Sequence, residues 1–311
     1  MKKIYFTIAF AFLVMTDMTA QQDPHYTQYM YNMSVMNPAY AGSKEAISAG
    51  LLYRAQWVDI DGAPETGTLF IHSPIGKNVG LGLSAISDKI GPVEENNIYA
   101  DFSYTLNLGG EHKLALGLKA GATFHKVGLF SDIGNGHVTN PGDDAFKEDT
   151  NNTYLNFGPG LFYYTNKFYA ALSVPNMVES THLDVTKNGQ EYEFGSETQH
   201  YFLTGGYVFD LSENTKFKPS FMLKSAFKAP TSLDVSANVL LFDKLEIGAT
   251  YRLDDAVGGM INFAVTPSLR IGYAYDHVTS DLNYTAPASH EFMLLFDLNF
   301  SKKVSISPRF F

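Results

Sequence analysis

Residues 111–125 read EHKLALGLKAGATFH, and apolar side chains occupy every second position from Leu114 to Phe124. The positions between them, from Lys113 to Thr123, carry lysine, glycine, alanine and threonine. Successive side chains of a β-strand point to opposite faces. The pattern therefore predicts a strand with one apolar face and one polar face.

The same alternation recurs along the chain, for example over residues 244–253 and around Leu269, Asp101, Ser220, Asp234 and Asp297. Counting such runs predicts about fourteen strands of about ten residues, an even number as single-chain barrels prefer. Their predicted centres are Leu51, Leu69, Leu83, Phe102, Leu118, Phe157, Ala170, Gly205, Phe221, Val235, Gly248, Ile261, Gly272 and Leu295.

A soluble β-sandwich also alternates, but three features favour a transmembrane antiparallel β-barrel of the outer-membrane type. Charged side chains and glycines share the polar face, which suits a wet or plugged lumen. The apolar face is aromatic near the strand ends, as interfacial girdles are, and the chain ends in Phe310-Phe311. We predict as lumen residues Arg54, Gln56, Asp101, Lys119, Lys224, Arg252, Arg270 and Glu291, and as girdle residues Tyr53, Trp57, Tyr104, Phe124, Tyr251 and Tyr275.

Connection lengths support this count of strands. The three longest predicted connections, 127–152, 174–197 and 276–289, follow strands five, seven and thirteen, and the connections after even strands are short. Barrels of this type have short periplasmic turns and long outer loops. We therefore expect residues 44–311 to form one barrel with both ends in the periplasm.

Residues 1–20 predict a signal peptide that is cleaved after Ala20: Lys2 and Lys3 precede an apolar run from Ile4 to Met15. Cleavage would remove two lysines and one aspartate, changing the formal charge from −10 to −11. An acidic chain without a basic stripe argues against nucleic-acid binding. The sequence contains no cysteine, which excludes disulfides.

Residues 21–43 follow the predicted leader and show neither strand nor helix periodicity. We predict that they plug the lumen from the periplasmic side or dock on a periplasmic partner; the alternative is a structural cap without a partner. Tyrosine and asparagine side chains could hydrogen-bond buried lumen groups and offset the cost of burying them. The residues of this motif are Asp23, Pro24, Tyr26, Gln28, Tyr29, Asn32, Asn37, Pro38, Tyr40 and Gly42.

Arg54 and Gln56 are expected to share the polar face of the first strand, and Trp57 to anchor the barrel at the lipid interface. Charge pairing and anchoring are favoured over a role in gating or cargo contact. A lumen arginine needs a partner, and Glu65, Asp101 and Glu291 are the candidates.

Catalytic and metal chemistry find little support in the sequence. The histidines have no metal-ligand spacing, so no metal or cofactor is predicted. Ser289, His290 and Glu291 are consecutive, but neighbours on a strand point to opposite faces and cannot form a relay. The acidic residues Asp143, Asp144, Glu148 and Asp149 could bind calcium, although a solvated loop is favoured.

The motif Gln22-Asp-Pro-x-Tyr-Thr-Gln-Tyr-Met-Tyr-Asn32, with Asn37-Pro-Ala-Tyr-Ala-Gly42, resembles the opening of the PorP/SprF family. Further marks in the family's order are Arg54-Ala-Gln-Trp57, His72-Ser-Pro74, Gly272-Tyr-Ala-Tyr-Asp276 and Ser307-Pro-Arg-Phe-Phe311. The resemblance implies a non-enzymatic outer-membrane component associated with the type IX secretion system and with gliding motility.

The resemblance further implies that such a protein aids export or surface retention of cargo proteins with a type IX C-terminal signal domain. Implied partners are that cargo, the periplasmic ring, the translocon and outer-membrane lipid. Loops centred on Gly142, Asn188 and Asn283 would touch the cargo. The alternative function is a channel or transporter for small solutes or lipid-like molecules, since a barrel of this size can house a substrate path.

Overall fold

A computed structural model describes residues 25–44, 46–128, 149–178, 180–187, 190–197, 199–226, 229–280 and 288–298. Within these ranges the chain is almost entirely β-strand. The strands are β1 (Ile47–Ala55), β2 (Glu65–Ile75), β3 (Val79–Ile90), β4 (Val93–Gly109), β5 (His112–Val127), β6 (Thr150–Tyr164), β7 (Phe168–Ser173), β8 (Ser180–Lys187), β9 (Gln190–Glu197), β10 (His200–Tyr207), β11 (Phe209–Ser212), β12 (Thr215–Ala226), β13 (Ala229–Leu241), β14 (Leu245–Arg252), β15 (Ala256–Thr266), β16 (Leu269–Val278) and β17 (Ala288–Leu298).

The strands close into a barrel of fourteen antiparallel strands. β1 pairs with β17, from Ile47 opposite Leu298 to Ala55 opposite His290, and β10 joins β7 to β12. β10 and β11 are two halves of one barrel strand, both paired with β12 and separated at Val208. All fourteen predicted strand centres lie in these strands, so the predicted fold class is confirmed.

Burial on the barrel wall is the reverse of that in a soluble protein. On β5, Leu116 and Leu118 are 41% and 62% exposed, whereas Lys119 is 1% exposed and Thr123 is fully buried. The outward face is therefore apolar and the inward face polar, as a barrel in lipid requires. A closed wall also leaves no unpaired strand edge to satisfy within the hydrocarbon layer.

The two ends of the barrel differ. At one end, here called the short-turn end, the connections after β2, β4, β6, β11, β13 and β15 have two or three residues each. The opposite, long-loop end carries the connections 128–149, 174–199 and 279–287, of which the structure describes only part. The predicted asymmetry of connections is thus present.

The connection 174–199 contains a feature that we did not predict. β8 and β9 form a separate antiparallel hairpin that does not join the barrel sheet. The two residues between these strands, Asn188-Gly189, lie outside the described residues, and in sequence Asn-Gly is the strongest short-range hairpin signal. That dipeptide could have revealed the hairpin.

The N-terminal segment, residues 25–44, contains only short helical elements. A four-residue helix α1 (Met33–Met36) lies between the 3-10 turns Tyr29–Tyr31 and Pro38–Tyr40. Asn37 caps the second 3-10 turn, where its side chain accepts a hydrogen bond from the Ala39 amide at 2.9 Å and Pro38 occupies the first position. The turns are too short to show a sequence period.

None of the helices in the described ranges is both long enough and apolar enough to cross a membrane.

Candidate functional site

The N-terminal segment runs through the interior of the barrel, and each residue from 25 to 41 is buried. At the short-turn end Lys44 pairs with Asp297 at 3.4 Å. Midway, the Asn37 side chain donates to the Leu161 carbonyl at 3.0 Å. Thr27 meets Arg54 and Asp276, which lie near the long-loop ends of β1 and β16. The segment thus extends from one end of the barrel towards the other.

Glycines on the inward face leave room for this segment. A Cβ on Gly117 of β5 would lie 2.1 Å from the Ala39 backbone nitrogen, and one on Gly80 of β3 would lie 2.1 Å from the Ala41 carbonyl oxygen. On β6, a Cβ on Gly160 would lie 2.1 Å from Asn37 Oδ1. Contacts below 3.0 Å force something to move. At these positions the segment therefore lies so close to the wall that only glycine, which has no side chain, can be accommodated without movement.

A cluster of buried charges holds the outer part of the segment. Arg54 contacts Asp276 at 2.8 Å and Glu291 at 3.3 Å, and all three side chains are at most 2% exposed. The Thr27 and Gln28 amides each donate to Glu291 at 2.9 Å, and the Thr27 hydroxyl donates to Asp276 at 2.5 Å. Because buried charges must be paired and hydrogen-bonded, the segment completes this cluster.

The structure shows which carboxylates pair with Arg54, a question that the sequence left open. Glu291 was a candidate and contacts Arg54, whereas Asp276 was not considered. Asp101 instead pairs with Lys119 at 2.9 Å, and Glu65 is exposed. Asp276 could have been found only from the register of β16 against β17.

The remaining predicted lumen residues are distributed as follows. Lys224 is buried with its ammonium 5.9 Å from the Phe202 ring, and Arg252 pairs with Asp234 at 2.7 Å. Arg270 is partly exposed and lies 3.9 Å from Glu246, which also accepts a hydrogen bond from Lys218 at 2.8 Å. Gln56 follows the end of β1 and is partly exposed, and its backbone N–H donates to the Pro64 carbonyl.

Trp57 lies in the connection after β1 with a φ of 49°, and its amide donates to Ser289 Oγ at 3.3 Å. It is partly buried, and its contact with lipid remains a prediction.

Several motif residues of the segment form hydrogen bonds with the barrel wall. Tyr26 OH hydrogen-bonds Thr68 at 2.7 Å, Tyr29 OH hydrogen-bonds Ser220 at 2.9 Å, and the Gly42 amide donates to His72 Nδ1 at 3.2 Å. Buried apolar side chains on both partners form one cluster, which includes Met30, Met33, Phe162, Tyr169 and Met222. Asp23 and Pro24 lie outside the described residues.

Titratable side chains in residues 25–41 of the segment are held neutral. Burial raises the pKa of the Tyr29 and Tyr31 phenols above the ordinary value. Burial, and then the nearby cations Lys224, Arg252 and Arg54, lower the pKa of His25 well below its ordinary value. Residues 25–41 can therefore lie beside the paired charges of the wall without adding a charge of their own.

Two cavities lie on opposite sides of the segment. The long-loop cavity, of about 70 Å³, is lined by His25, Tyr26, Val35 and Met36 of the segment and by inward side chains from the long-loop halves of the strands. The short-turn cavity, of about 280 Å³, is lined by Ala41, Gly42 and residues near the β2–β3 and β4–β5 turns. The segment stands between them.

The inward face of the barrel holds a segment of its own chain. Among the described residues, no group of three histidines or carboxylates is placed to hold a metal ion. Glu291 faces inward, whereas His290 is partly exposed and hydrogen-bonds Tyr273 OH at 2.8 Å. The acidic loop residues 143–148 lie outside the described part of the chain.

Solved structures similar to this chain are β-barrel membrane proteins. CymD, a monoaromatic hydrocarbon channel, has a TM-score of 0.53 and 12% identity, over 87% of this chain and 93% of CymD. Omp33 of Acinetobacter baumannii has a TM-score of 0.48 and 11% identity, over 82% and 100% of the two chains. The Pseudomonas putida toluene transporter TodX has a TM-score of 0.48 and 10% identity, over 88% and 95%. At such identity the likeness to CymD concerns the fold alone.

No curated protein matches this sequence. The family model described as "Type IX secretion system membrane protein PorP/SprF" matches residues 18–296, nearly the whole chain. That range includes the segment, the charge cluster and all fourteen strands, apart from the last residues of β17. The chain is a member of the PorP/SprF family of type IX secretion system membrane proteins.

Proposed function

We propose that this protein acts in type IX secretion as a non-enzymatic outer-membrane scaffold that aids export or surface retention of particular cargo proteins. Its cargo would carry the C-terminal signal domain of this pathway, with gliding adhesins as one class. The match to the PorP/SprF model over residues 18–296 is the observation that carries this proposal. Contacts with the periplasmic ring, the translocon and outer-membrane lipid belong to the same proposal.

The filled lumen favours a scaffold over an open pore. We assign the short-turn end to the periplasm, because barrels of this type have short periplasmic turns, and export would follow cleavage of residues 1–20. In this orientation the N-terminal segment acts as a plug. Its residues from 25 to 41 are buried against the wall, so docking on a periplasmic partner would require them to leave the lumen.

A channel for small solutes is the second candidate, because a cavity approaches the segment from each side. Planar-bilayer recording separates the two functions. Under the scaffold proposal the intact protein shows no stepwise conductance, whereas a variant lacking residues 25–42 conducts. Steady conductance of the intact protein would favour the channel.

The secretion role has its own test in cells. Removal of the whole chain is expected to shift at least one exported protein from the cell surface to the medium, or to retain it inside the cell. Quantitative mass spectrometry of the surface and medium fractions gives the readout, and re-expression of the intact chain is the control. An unchanged distribution of all exported proteins would contradict the proposal.

A further inference from the structure

The short-turn cavity opens to solvent at its rim and ends inside the barrel at the segment. At the rim, Gly76, Lys77 and Asn107 are exposed. At the floor, Ala41 of the segment and Tyr164 of β6 are each 2% exposed. The volume of about 280 Å³ is close to the lower end of the range of about 300–1,000 Å³ found for ligand sites. In the orientation proposed above, the cavity opens to the periplasm, and a ligand can enter it without displacing the segment.

Two lysines give this cavity a positive charge. Lys77 lies on the β2–β3 turn. Lys113 lies at the start of β5, with its ammonium 5.8 Å from the centre of the Tyr164 ring. Among the described residues, the rest of the lining carries no charge, although the whole chain has a formal charge of −10. The local charge therefore favours an anionic ligand.

An open strand edge borders the same cavity. β4 extends beyond the start of β3, and the Thr105 amide donates to the carbonyl of Asn78, the residue before β3, at 2.7 Å. From Leu106 onwards, β4 pairs with β5 alone among the described strands. In an antiparallel ladder, the backbone groups of alternate residues point to the same side. Asn107, two residues after Thr105, therefore presents its amide and carbonyl towards the β2–β3 turn, where a further strand could pair with them.

These two features together favour an extended polypeptide with an acidic side chain. A phosphate group could accept hydrogen bonds, but the Asn107 carbonyl needs a donor. Residues 299–311 of this chain follow the short-turn end of β17, but their charged side chains are those of Lys302, Lys303 and Arg309. The cavity lysines would repel them. A polypeptide that adds to the edge of β4 supplies a donor and an acceptor to Asn107 and can carry a carboxylate into the cavity.

We propose that the short-turn cavity binds an extended segment of a periplasmic polypeptide, which pairs with β4 at Asn107 and places an aspartate or glutamate side chain beside Lys77 and Lys113. This inference rests on the proposed function, from which it takes the orientation of the barrel, and it specifies where a periplasmic partner is held. Because Ala41 and Gly42 form part of the lining, the site is complete only when the segment is in place.

Carbodiimide coupling in isolated cell envelopes tests this proposal, because the reagent joins a lysine amine to a carboxylate in contact with it. Lys216 contacts Asp243 at another short turn, and a link within this pair shows that the reaction has worked. We expect mass spectrometry to find Lys77 or Lys113 linked to an aspartate or glutamate of a different polypeptide. A link from Lys216 to Asp243 without any such intermolecular link would overturn the proposal.

Paired lysine variants separate the cavity from general attraction of acidic chains. The probe is a fluorescent peptide of alternating threonine and glutamate, and its anisotropy is measured with the barrel in lipid nanodiscs. Lys77→Gln with Lys113→Gln is expected to weaken binding tenfold or more. Lys216→Gln with Lys244→Gln removes the same charge from other short-turn positions and should leave the affinity unchanged. Equal weakening by the two pairs would overturn the assignment to the cavity.

Variants of Asn107 test the pairing with β4. Asn107→Pro removes the amide that faces the β2–β3 turn, a change that an edge strand tolerates, whereas Asn107→Ala keeps this amide. The heat-dependent gel shift of folded barrels shows whether both variants assemble. We expect only the proline variant to weaken peptide binding, by tenfold or more. Equal affinity of the two assembled variants would contradict strand addition and overturn the proposed binding mode.

The other occupants have outcomes of their own. A phospholipid that native mass spectrometry finds on the unchanged protein, and not on Lys77→Gln with Lys113→Gln, would assign the cavity to a lipid headgroup and overturn the proposal. Displacement of the peptide by inorganic phosphate at equal concentration would assign it to a small anion. If removal of the whole chain changes no exported protein, the secretion role is wrong whatever the cavity binds. If removal has an effect but Lys77 and Lys113 have no carboxylate partner, only this inference is wrong.

Discussion

Gly117→Ala tests whether the N-terminal segment is seated on the wall. The added Cβ would lie 2.1 Å from the Ala39 nitrogen and 2.5 Å from the Ala39 Cα. That is about 1.4 Å short of a normal contact of about 3.5 Å. Both atoms belong to backbone, so relief requires the segment to move rather than a side chain to rotate.

The cost can be worked from the contacts near this position. Overpacking costs about 1–3 kcal/mol. Movement of the segment also strains the hydrogen bonds from Ser103 Oγ to the Ala41 carbonyl and from Asn37 Nδ2 to the Leu161 carbonyl, each contributing about 1 kcal/mol. We therefore expect Gly117→Ala to lower the free energy of unfolding by about 3–5 kcal/mol.

Urea titration of the barrel refolded in lipid measures this change through the fluorescence of its single tryptophan, Trp57. Gly67→Ala is the matched control, because a Cβ at this strand position meets nothing within 4 Å. The control should be neutral or stabilising by up to about 1 kcal/mol, through a less flexible unfolded chain. Equal midpoints for Gly117→Ala, Gly67→Ala and the unchanged protein would refute the seating of the segment against β5.

Three further changes probe the charges around the segment. Glu291→Gln weakens the acceptor for the Thr27 and Gln28 backbone amides and leaves Arg54 paired with Asp276 alone, so we expect a loss of about 1.5–3 kcal/mol; the exposed Glu65→Gln should leave the urea midpoint unchanged, and equal midpoints for the two would contradict the anchoring role. Lys218→Met removes the nearest cation from the buried Glu246 and leaves it with Arg270 and Asn238, so it should cost about 1.5–3 kcal/mol in the same titration. Lys167→Met, in an exposed pair with Asp210, should leave the midpoint unchanged; an unchanged midpoint for Lys218→Met as well would show that Glu246 is not buried as a charge. Because the pKa of His25 is lower in the folded protein, its contribution is complete above the unfolded value of about 6.5 and is lost as the pH falls below it; His25→Gln should therefore reduce the loss of stability between pH 7 and pH 5, and an unchanged pH profile would argue against a buried, neutral His25.

Much of the barrel was predictable because each strand carries its own signal. Leu116 and Leu118 must be apolar to face lipid, and the residues between them need not be. This local rule repeats in every strand and does not depend on distant parts of the chain. The strand count and the uneven connections follow from it, whereas the β8–β9 hairpin was missed because it does not cross the barrel wall.

The interior was predictable only in composition. The sequence indicates that Arg54 faces inward, but its partner Asp276 lies 222 residues away and is fixed by strand register. The path of the segment depends on where Gly80, Gly117 and Gly160 leave space, and their role appears only once β3, β5 and β6 are adjacent. Pairing inside a closed barrel is a three-dimensional property that alternation along one strand does not encode.

The anchoring of Thr27 and Gln28 on Glu291 constrains the order of assembly. The earliest residues of the folded chain are held by its last barrel strand, β17, which also closes the barrel against β1. Contacts of such high sequence separation form slowly. These residues near the start of the described chain are therefore among the last to be fixed, because their partner Glu291 lies on the strand that completes the barrel.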